Sequence, residues 1–537
     1  MASFNKKFIS IISVFCKHHS LNIILFLLFV FLLAFFPFGR MRDYYLLLPL
    51  EGFIVDNGEK RIAYREGQNE TIQYLQKDIA GVPYYHRLVT NNHSMSSTNM
   101  WARRYMKFYT YLPVAVLPDP HTALLICFGC GITAQSLVDT ASLKRIDIVD
   151  ISKDVIDMSS VIFKDPRKNP LNDPRVTVHI EDGRFYLMTS AQQYHIITAE
   201  PPPPKASGVV NLYTQEFFQL IHNRLVDGGM VTYWLPVNEL TLSEAKSILK
   251  AFCNVFQESS LWLGVGHQWM MVGVKGSPQT VSESYFSRQW NDPVVGKEIR
   301  ALGFTSPEQL CSYFIADQQR LREWIGTQPP LTDNYPHRLS TERPTRDFDF
   351  VEYDKFLDSN ASLNSFLSSS STKRLVPDSF QKNAVRYFPI RNHIVNLTPP
   401  NVSALHEAIH NPFLHDFIVW TFGSDMLAQE ILSSAKGSSP TTYKDPEILI
   451  HLAAGATKRR EYKEAADYLY NAARLSTRIL SNDYLFEFGI YFARKTNNRE
   501  LQHAFERSYL QGTPREIERR TKKLDALKQW MDVTLRH

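Results

Sequence analysis

The sequence predicts an α/β protein built on a mostly parallel, doubly wound sheet, preceded by a small β domain and followed by a helical region. Three observations carry this reading. Short continuous apolar runs alternate with helical stretches between residues 122 and 274. A glycine turn, Gly129-Cys130-Gly131, follows the first of those runs, and a carboxylate, Glu200, closes another just before four consecutive prolines. Strands buried on both faces read as continuous apolar runs, the pattern of a sheet covered by helices on each side.

The chain has 537 residues, enough for two or three domains. The expected organisation is an N-terminal anchor over 1–45, a small β domain plus helix over 46–115, an α/β domain over 116–345, a linker over 346–400 and a helical region over 401–537. Leu21 to Phe38 is an uncharged apolar run of eighteen residues, flanked by Lys6, Lys7 and Lys17 before it and Arg40 and Arg42 after it. That length is the minimum for a spanning helix, and no small-x-small cleavage site follows it. It is therefore expected to be a single-pass anchor in an inner or plasma membrane. The flanking cations weakly favour an external C-terminus, whereas the nucleotide chemistry argued below places the catalytic domain in the cytoplasm.

Next comes a β-rich stretch from Phe53 to Asn92. Arg61–Arg65 and Tyr84–Thr90 read as strands, the second closing at an Asn91-Asn92 turn. A helix with Trp101, Tyr105, Phe108 and Tyr109 follows, ending near Pro113. Strands are then expected at Thr122–Phe128, Arg145–Asp150, Arg175–Ile180, Tyr194–Ala199, Met230–Leu235 and Trp269–Val274. A serine-rich segment around Ser368–Ser371 reads as the linker. Beyond it, Leu452, Ala453, Ala456, Tyr462, Ala465, Leu469 and Ala472 fit the spacing of a tetratricopeptide-like helix pair, although any antiparallel pair uses small residues at its crossing.

Composition excludes some functions. The net charge is only +5 and long basic runs are lacking, so nothing points to nucleic acid. Five scattered cysteines make no disulfide framework and suggest a reducing compartment. Cys127 and Cys130 form a C-x-x-C, but with no second pair or histidine cluster beside it no metal is expected.

Two constellations carry chemistry. In the first, Gly129 and Gly131 allow a tight turn and close approach of a ligand at a helix start. Asp150, ending the next strand about twenty residues on, stands where an acid can bind ribose hydroxyls. Gln135 stands near the place of the third glycine of the dinucleotide fingerprint, which points to a nucleoside without a pyrophosphate. In the second, Asp182-Gly183 follows a strand and precedes a helix. Asp182 suits either an adenine amino group or a helix N-cap. Glu200, on a stiff polyproline-like mount at the carboxyl end of its strand, is a candidate base or cation-binding group.

The order of glycine turn, Asp150, Asp182-Gly183, Glu200-Pro201 and Leu212-Tyr213-Thr214-Gln215-Glu216-Phe217-Phe218 resembles the spermidine synthase family of aminopropyltransferases. Gly208-Val209-Val210-Asn211, Gly228-Gly229, Trp234-Leu235-Pro236 and Leu331-Thr332-Asp333-Asn334-Tyr335-Pro336 are similar to its membrane-fused bacterial branch. The resemblance spans Phe53 to Pro336 and implies a methyltransferase-like Rossmann sheet after a small β domain. It implies decarboxylated S-adenosylmethionine as donor substrate, with no permanently bound cofactor, and an amine as acceptor. Asp150 would hold the ribose, Asp182 the adenine amino group, Glu200 would accept the proton of the attacking amine, and Tyr213 would line the amine pocket.

The chain also departs from that pattern. Pro203 stands where the family carries a second aspartate, Cys130 interrupts a more glycine-rich run, and Asn92–Ser96 replaces an acidic gate. A diamine needs an acid at each end, so putrescine specificity does not follow. Two other functions stay open: a methyltransferase using intact S-adenosylmethionine, and a non-catalytic membrane scaffold or sensor. A homodimer and a protein partner for the C-terminal helices are likewise open.

Overall fold

The computed structural model describes residues 24–391, apart from 37–38, 80–81, 207, 278, 303, 305, 335–338 and 340–341, and residues 446–535, apart from 459 and 476–482. The chain divides into two units, Met1–Glu59 and Lys60–His537. In the first, residues 24–35 are helical and short turns of π- or 3-10-type follow at Met41–Tyr45, Leu48–Leu50 and Gly52–Asp56. The spanning segment expected over 21–38 is not found among the described residues. Among the described residues no helix is long and apolar enough to cross a membrane. Residues 21–23 and 37–38 lie outside the described residues. The expected single-pass membrane location, and the orientation drawn with it, lose their basis.

The second unit opens with a four-stranded antiparallel sheet in sequence order: β1 (Lys60–Glu66), β2 (Thr71–Ile79), β3 (Val82–Thr90) and β4 (His93–Ser97). The β3–β4 hairpin turns on Asn91 and Asn92, with φ of 47° and 64°, a pair of left-handed residues that matches the twist of the strands it joins. Asn99 caps the following helix, Met100–Val116, through its side chain on the Ala102 N–H. This helix passes through Pro113 instead of ending there. From Met106 to Val116 every residue is buried, so packing outweighs the backbone bond the proline removes.

An eight-stranded sheet forms the body: β5 (Thr122–Ile126), β6 (Arg145–Asp150), β7 (Val176–Ile180), β8 (Tyr194–Ala199), β9 (Leu225–Pro236), β10 (Glu258–Val265), β11 (Gln268–Val274) and β12 (Phe314–Asp317). Its spatial order is β12-β10-β11-β9-β8-β5-β6-β7. The run from β9 to β7 is parallel, while β11, β10 and β12 join antiparallel. The sheet is thus mixed, where a mostly parallel one was expected. The difference is a tight β10–β11 connection around Gly266, too short for the crossover that a parallel pair requires. After β7 the chain returns to the other side of β5, and this reversal of direction opens a crevice at the carboxyl ends of β5 and β8.

Residues 346–391 are not a loose linker. They form short helical segments at Arg346–Phe350, Val351–Phe356, Ser359–Ser368, Ser370–Leu375, Asp378–Ala384 and Val385–Ile390. The serines act as caps and buried partners: Ser369 caps Thr372, and Ser365 Oγ donates to Asp317 Oδ1 at 3.1 Å. Arg391, fully buried, donates to the carbonyls of Phe314 and Leu357 and, at 2.8 Å, to Ser362 Oγ. Phe366 packs between Phe314 and Phe388, with ring centroids at 5.5 and 5.2 Å.

A separate apolar cluster joins the helices Pro446–Lys458, Tyr462–Leu475, Asp483–Lys495, Arg499–Tyr509 and Pro514–Thr534. Ala453, Ala456, Ala465, Leu469 and Ala472 are buried in it, as their spacing predicts; residues 401–445 lie outside the described residues.

If residues 346–391 belong to the core, Phe366→Ala destabilises the protein by about 3–5 kcal/mol, the usual loss for a buried phenylalanine. Chemical denaturation checks this; a midpoint unchanged from the parent would return the segment to the role of a tether.

Candidate functional site

One row across the sheet builds the site. Tyr233 on β9 pairs with Ala199 on β8, Ala199 with Ile126 on β5, Ile126 with Val149 on β6, and Val149 with His179 on β7. The residues that step out of the sheet at this level are therefore Trp234, Glu200, Cys127, Asp150 and Ile180, with Asp182 just beyond. All of these but Ile180 edge a cavity of about 500 Å³ that is closed from the other side by Glu70, Leu88, Met95 and Ser96 of the small sheet and its turns.

The turn after β5 takes its shape from three left-handed residues: Cys127, Gly129 and Gly131, with φ of 72°, 54° and 74°. A non-glycine residue in that region carries strain, and Cys127 is held there by its N–H on the Val149 carbonyl at 2.9 Å. Gly129 lines the cavity. Gly131 does not; it is the N-cap of the helix Ile132–Val138, and a Cβ there would lie 2.7 Å from the Phe128 ring. Its role is in the turn, without ligand approach. Burial and the nearby acids, Asp150 first, push the Cys127 thiol well up, so it stays protonated.

Asp150 is held by backbone. Its carboxylate accepts the N–H groups of Phe128 and Ser152, each at 2.8 Å. Burial still pushes its carboxyl up to about 6, with Glu70 adding repulsion. Each carboxylate oxygen has two acceptor sites, so these bonds leave capacity for hydroxyls from the cavity. Asp182 proves to be the N-cap of the helix Gly183–Thr189, accepting Phe185 N–H at 2.9 Å on Oδ1, and it lines the cavity as well. Gly183 also lines it, in a place where a Cβ would lie 2.7 Å from the Ile126 side chain.

Glu200 is half-buried and opens onto the cavity. Its side chain accepts from the Thr133 hydroxyl, and its N–H donates to the Ile126 carbonyl at 3.3 Å. Burial pushes its carboxyl up to about 8, with the Thr133 bond acting in the opposite sense. Tyr213, expected to line the amine pocket, lies behind the wall. It is fully buried, packed edge-on against Tyr233 at 5.4 Å, and its hydroxyl donates to the Pro202 carbonyl at 3.4 Å. Tyr213 is not among the residues that line the cavity.

Sequence reasoning gave no role to Thr133, Tyr105, Trp234 or Glu70, all of which line the cavity. Thr133 had a local signal, as a hydroxyl on the first turn after the glycine loop. Glu70 had none, because a tertiary contact brings it there. Among the described residues Arg184 is the one cationic side chain in the wall, and it is engaged: Nη1 donates to Asp333 Oδ1 and to the Asn211 carbonyl, each at 2.9 Å, and Nη2 pairs with Asp333 Oδ2. No cluster of metal ligands occurs among the described residues.

Residues 103–265, which include the whole row from β9 to β7, match the sequence profile of the spermine/spermidine synthase domain. Over this stretch the chain is similar to the spermine/spermidine synthase family. A polyamine aminopropyltransferase of Pyrobaculum calidifontis is 24% identical over 224 residues, 39% of this chain and 76% of the relative. One from Nitrosomonas europaea is 25% identical over 190 residues, 33% of this chain and 57% of its own length. Putrescine N-methyltransferase 2 of Nicotiana attenuata is 27% identical over 191 residues, 35% of this chain and 49% of the relative. The crystal structure of spermidine synthase from Thermotoga maritima covers 40% of this chain and 73% of its own, at 18% identity and a TM-score of 0.35. The synthase-type domain is thus joined here to helical segments that lie outside the profile match.

The raised Glu200 carboxyl has a stability consequence. Between its unfolded value near 4.5 and its folded value of about 8, the native protein keeps a proton that the unfolded chain gives up. Stability therefore falls as pH rises through that window, by on the order of a few kcal/mol. Glu200→Gln removes the titration. Its thermal unfolding temperature should exceed the parent's above pH 8 and change less between pH 5 and 8.5; parallel curves for the two proteins would contradict this.

Proposed function

We propose that the cavity binds a nucleoside sulfonium and transfers its alkyl group to an amine, the aminopropyl group of decarboxylated S-adenosylmethionine being the preferred cargo. The observation that carries this reading is the charge of the wall. Glu70, Asp150, Asp182 and Glu200 face one cavity, and the only cation among its described lining residues is tied to Asp333. Such a site favours a cationic occupant and offers no partner to a donor carboxylate. That weighs against the alternative, methyl transfer from intact S-adenosylmethionine.

In this reading Asp150 holds the ribose hydroxyls and Asp182 the adenine amino group through the oxygen not used as a cap. Gly129 and Gly183 let backbone approach the nucleoside. Glu200 takes a proton from the incoming ammonium, because an amine without its lone pair is no nucleophile. The freed nitrogen attacks the carbon beside sulfur. The carbon–sulfur bond breaks with its electron pair on sulfur, and a neutral thioether leaves. Positioning for in-line attack supplies much of the remaining acceleration. Tyr213 acts through Pro202, as a prop for the loop. The C-terminal helices, with alanines at their crossings, are carried as a tetratricopeptide-like module for a protein partner.

The test is methylthioadenosine release by the full chain supplied with decarboxylated S-adenosylmethionine and an amine. Turnover should rise towards pH 8 as the Glu200 carboxylate forms. Glu200→Gln should lower it by about 10²–10⁴-fold while calorimetric nucleoside binding persists. Asp150→Ala should weaken nucleoside binding itself. A folded sample that binds neither decarboxylated nor intact donor would leave the scaffold reading in place of both transferases.

A further inference from the structure

The acids of the cavity are unevenly placed. Along the row, Asp150 and Asp182 lie on the β6–β7 side of the glycine turn, and Glu70 adds to the field at Asp150. Glu200 stands alone on the other side, on β8, with Trp234 of β9 as its neighbour. No other carboxylate contributes to the displacement of its titration, which agrees with this separation.

The surroundings of Glu200 are neutral and largely apolar. The Oγ1 of Thr133, which bonds it, also lies 3.2 Å from the Met106 carbonyl, a second acceptor for the same proton, and the Ser96 hydroxyl lies 3.9 Å from the Met106 sulfur. Met95, Leu88 and Tyr105 complete that part of the wall. Trp234 is fixed by a bond from its indole N–H to Gln268 Oε1 at 2.6 Å, and Gln268 in turn donates to Asn238 Oδ1 at 2.8 Å. The polar atoms of Trp234, Gln268 and Asn238 are thus committed to each other. The next acid along this edge is Glu239, in the turn after β9. It is not part of the cavity wall, and its field partners are His93, Lys205 and Arg343. Pro203 is buried, its carbonyl accepting Ala206 N–H at 2.9 Å.

A second ammonium pushed into this end would lose its water and find no counter-charge. An acceptor with a single ammonium avoids that cost and gains by covering apolar wall. We infer that the acceptor is a monoamine, with its one ammonium at Glu200 and an alkyl or arylalkyl body against Leu88, Met95, Met106 and Trp234. The inference rests on the alkyl-transfer reading of the same cavity and narrows its acceptor class. Flat aromatic bodies are favoured by the fixed Trp234 face.

The experiment compares butylamine, hexylamine and phenethylamine with 1,4-diaminobutane. The full-length protein is supplied with decarboxylated S-adenosylmethionine at pH 8.5, and methylthioadenosine is measured. In parallel, calorimetry follows binding of the same amines to protein saturated with methylthioadenosine. The expected result is a kcat/KM at least about tenfold higher for the best monoamine than for the diamine, with the same order in binding. Met95→Glu, at a partly exposed position on β4, should close that gap by adding an acid to the bare end. A parent protein that prefers the diamine in both assays overturns the monoamine inference and leaves alkyl transfer standing. Monoamine binding without methylthioadenosine from any amine supports the acceptor class and overturns the transfer reading. Absence of binding by every amine to the nucleoside-loaded protein overturns both.

Discussion

The parallel pairing of β8 with β5 is the constraint on which the site depends. Ile126 opposite Ala199 brings the glycine turn and Glu200 out of the sheet at one level. The pairings on either side bring Trp234 and Asp150 out at the same level. A one-residue slip of β8 would send Glu200 to the opposite face of the sheet, because successive side chains alternate. The register is protected by apolar burial: Ile196, Ile197 and Ala199 are fully buried, and so are Ala123, Leu124 and Leu125 beside them. Core packing and the placement of Glu200 are thus one requirement.

The second organising fact is that, among the described residues, no cation pairs with the carboxylates of Asp150 and Glu200. Asp150 is compensated by backbone N–H groups, which hold it near 6 despite burial; Glu200 has only a threonine hydroxyl and rises to about 8. The difference separates two tasks. A group kept charged over most of the neutral range suits binding of hydroxyls, whereas one whose ionisation follows the occupant suits proton transfer. A cation arriving next to Glu200 would draw its titration down again, so ionisation and acceptor binding are coupled through the same few atoms.

Much of this was legible in the sequence, and the failures have specific physical causes. The apolar runs at 122–126 and 194–199 announced two of the parallel strands, since burial on both faces leaves little alternation to confuse them. β10 and β12 were missed because Glu258–Val265 begins with polar residues and Phe314–Asp317 is too short to carry a period. The serine-rich stretch near residue 370 read as a tether by composition. Its hydroxyls instead bond buried carbonyls and carboxylates, a choice visible only once β12 and Arg391 are in place. Gly129, Asp150, Asp182, Gly183 and Glu200 come together at the cavity because each ends a strand or follows one, and strand ends were readable. Tyr213 follows no strand, and its side chain was free to point either way until Tyr233 took the space beside it. The apolar run at 21–38 had the composition of an anchor, yet among the described residues no helix is long and apolar enough to cross a membrane.

The proline run is best understood as part of the mounting of Glu200. Pro201, Pro203 and Pro204 are buried, and the loop is tied down on both sides of Pro203. Tyr213 holds the Pro202 carbonyl, and Lys205 pairs with Glu244 at 3.0 Å and donates to the Glu342 carbonyl. Glu244 also belongs to the capping box of the helix Leu242–Val255, so the loop is braced against a rigid element. A glutamate has one more rotatable bond than an aspartate and would lose positional precision on a mobile loop. Four prolines limit the backbone freedom beneath it, and Thr133 fixes the carboxylate at its far end. On the proposed transfer reading, Pro203 both stiffens the mount and offers no acid to the acceptor, so rigidity at Glu200 and a single cation site beside it would have one structural origin.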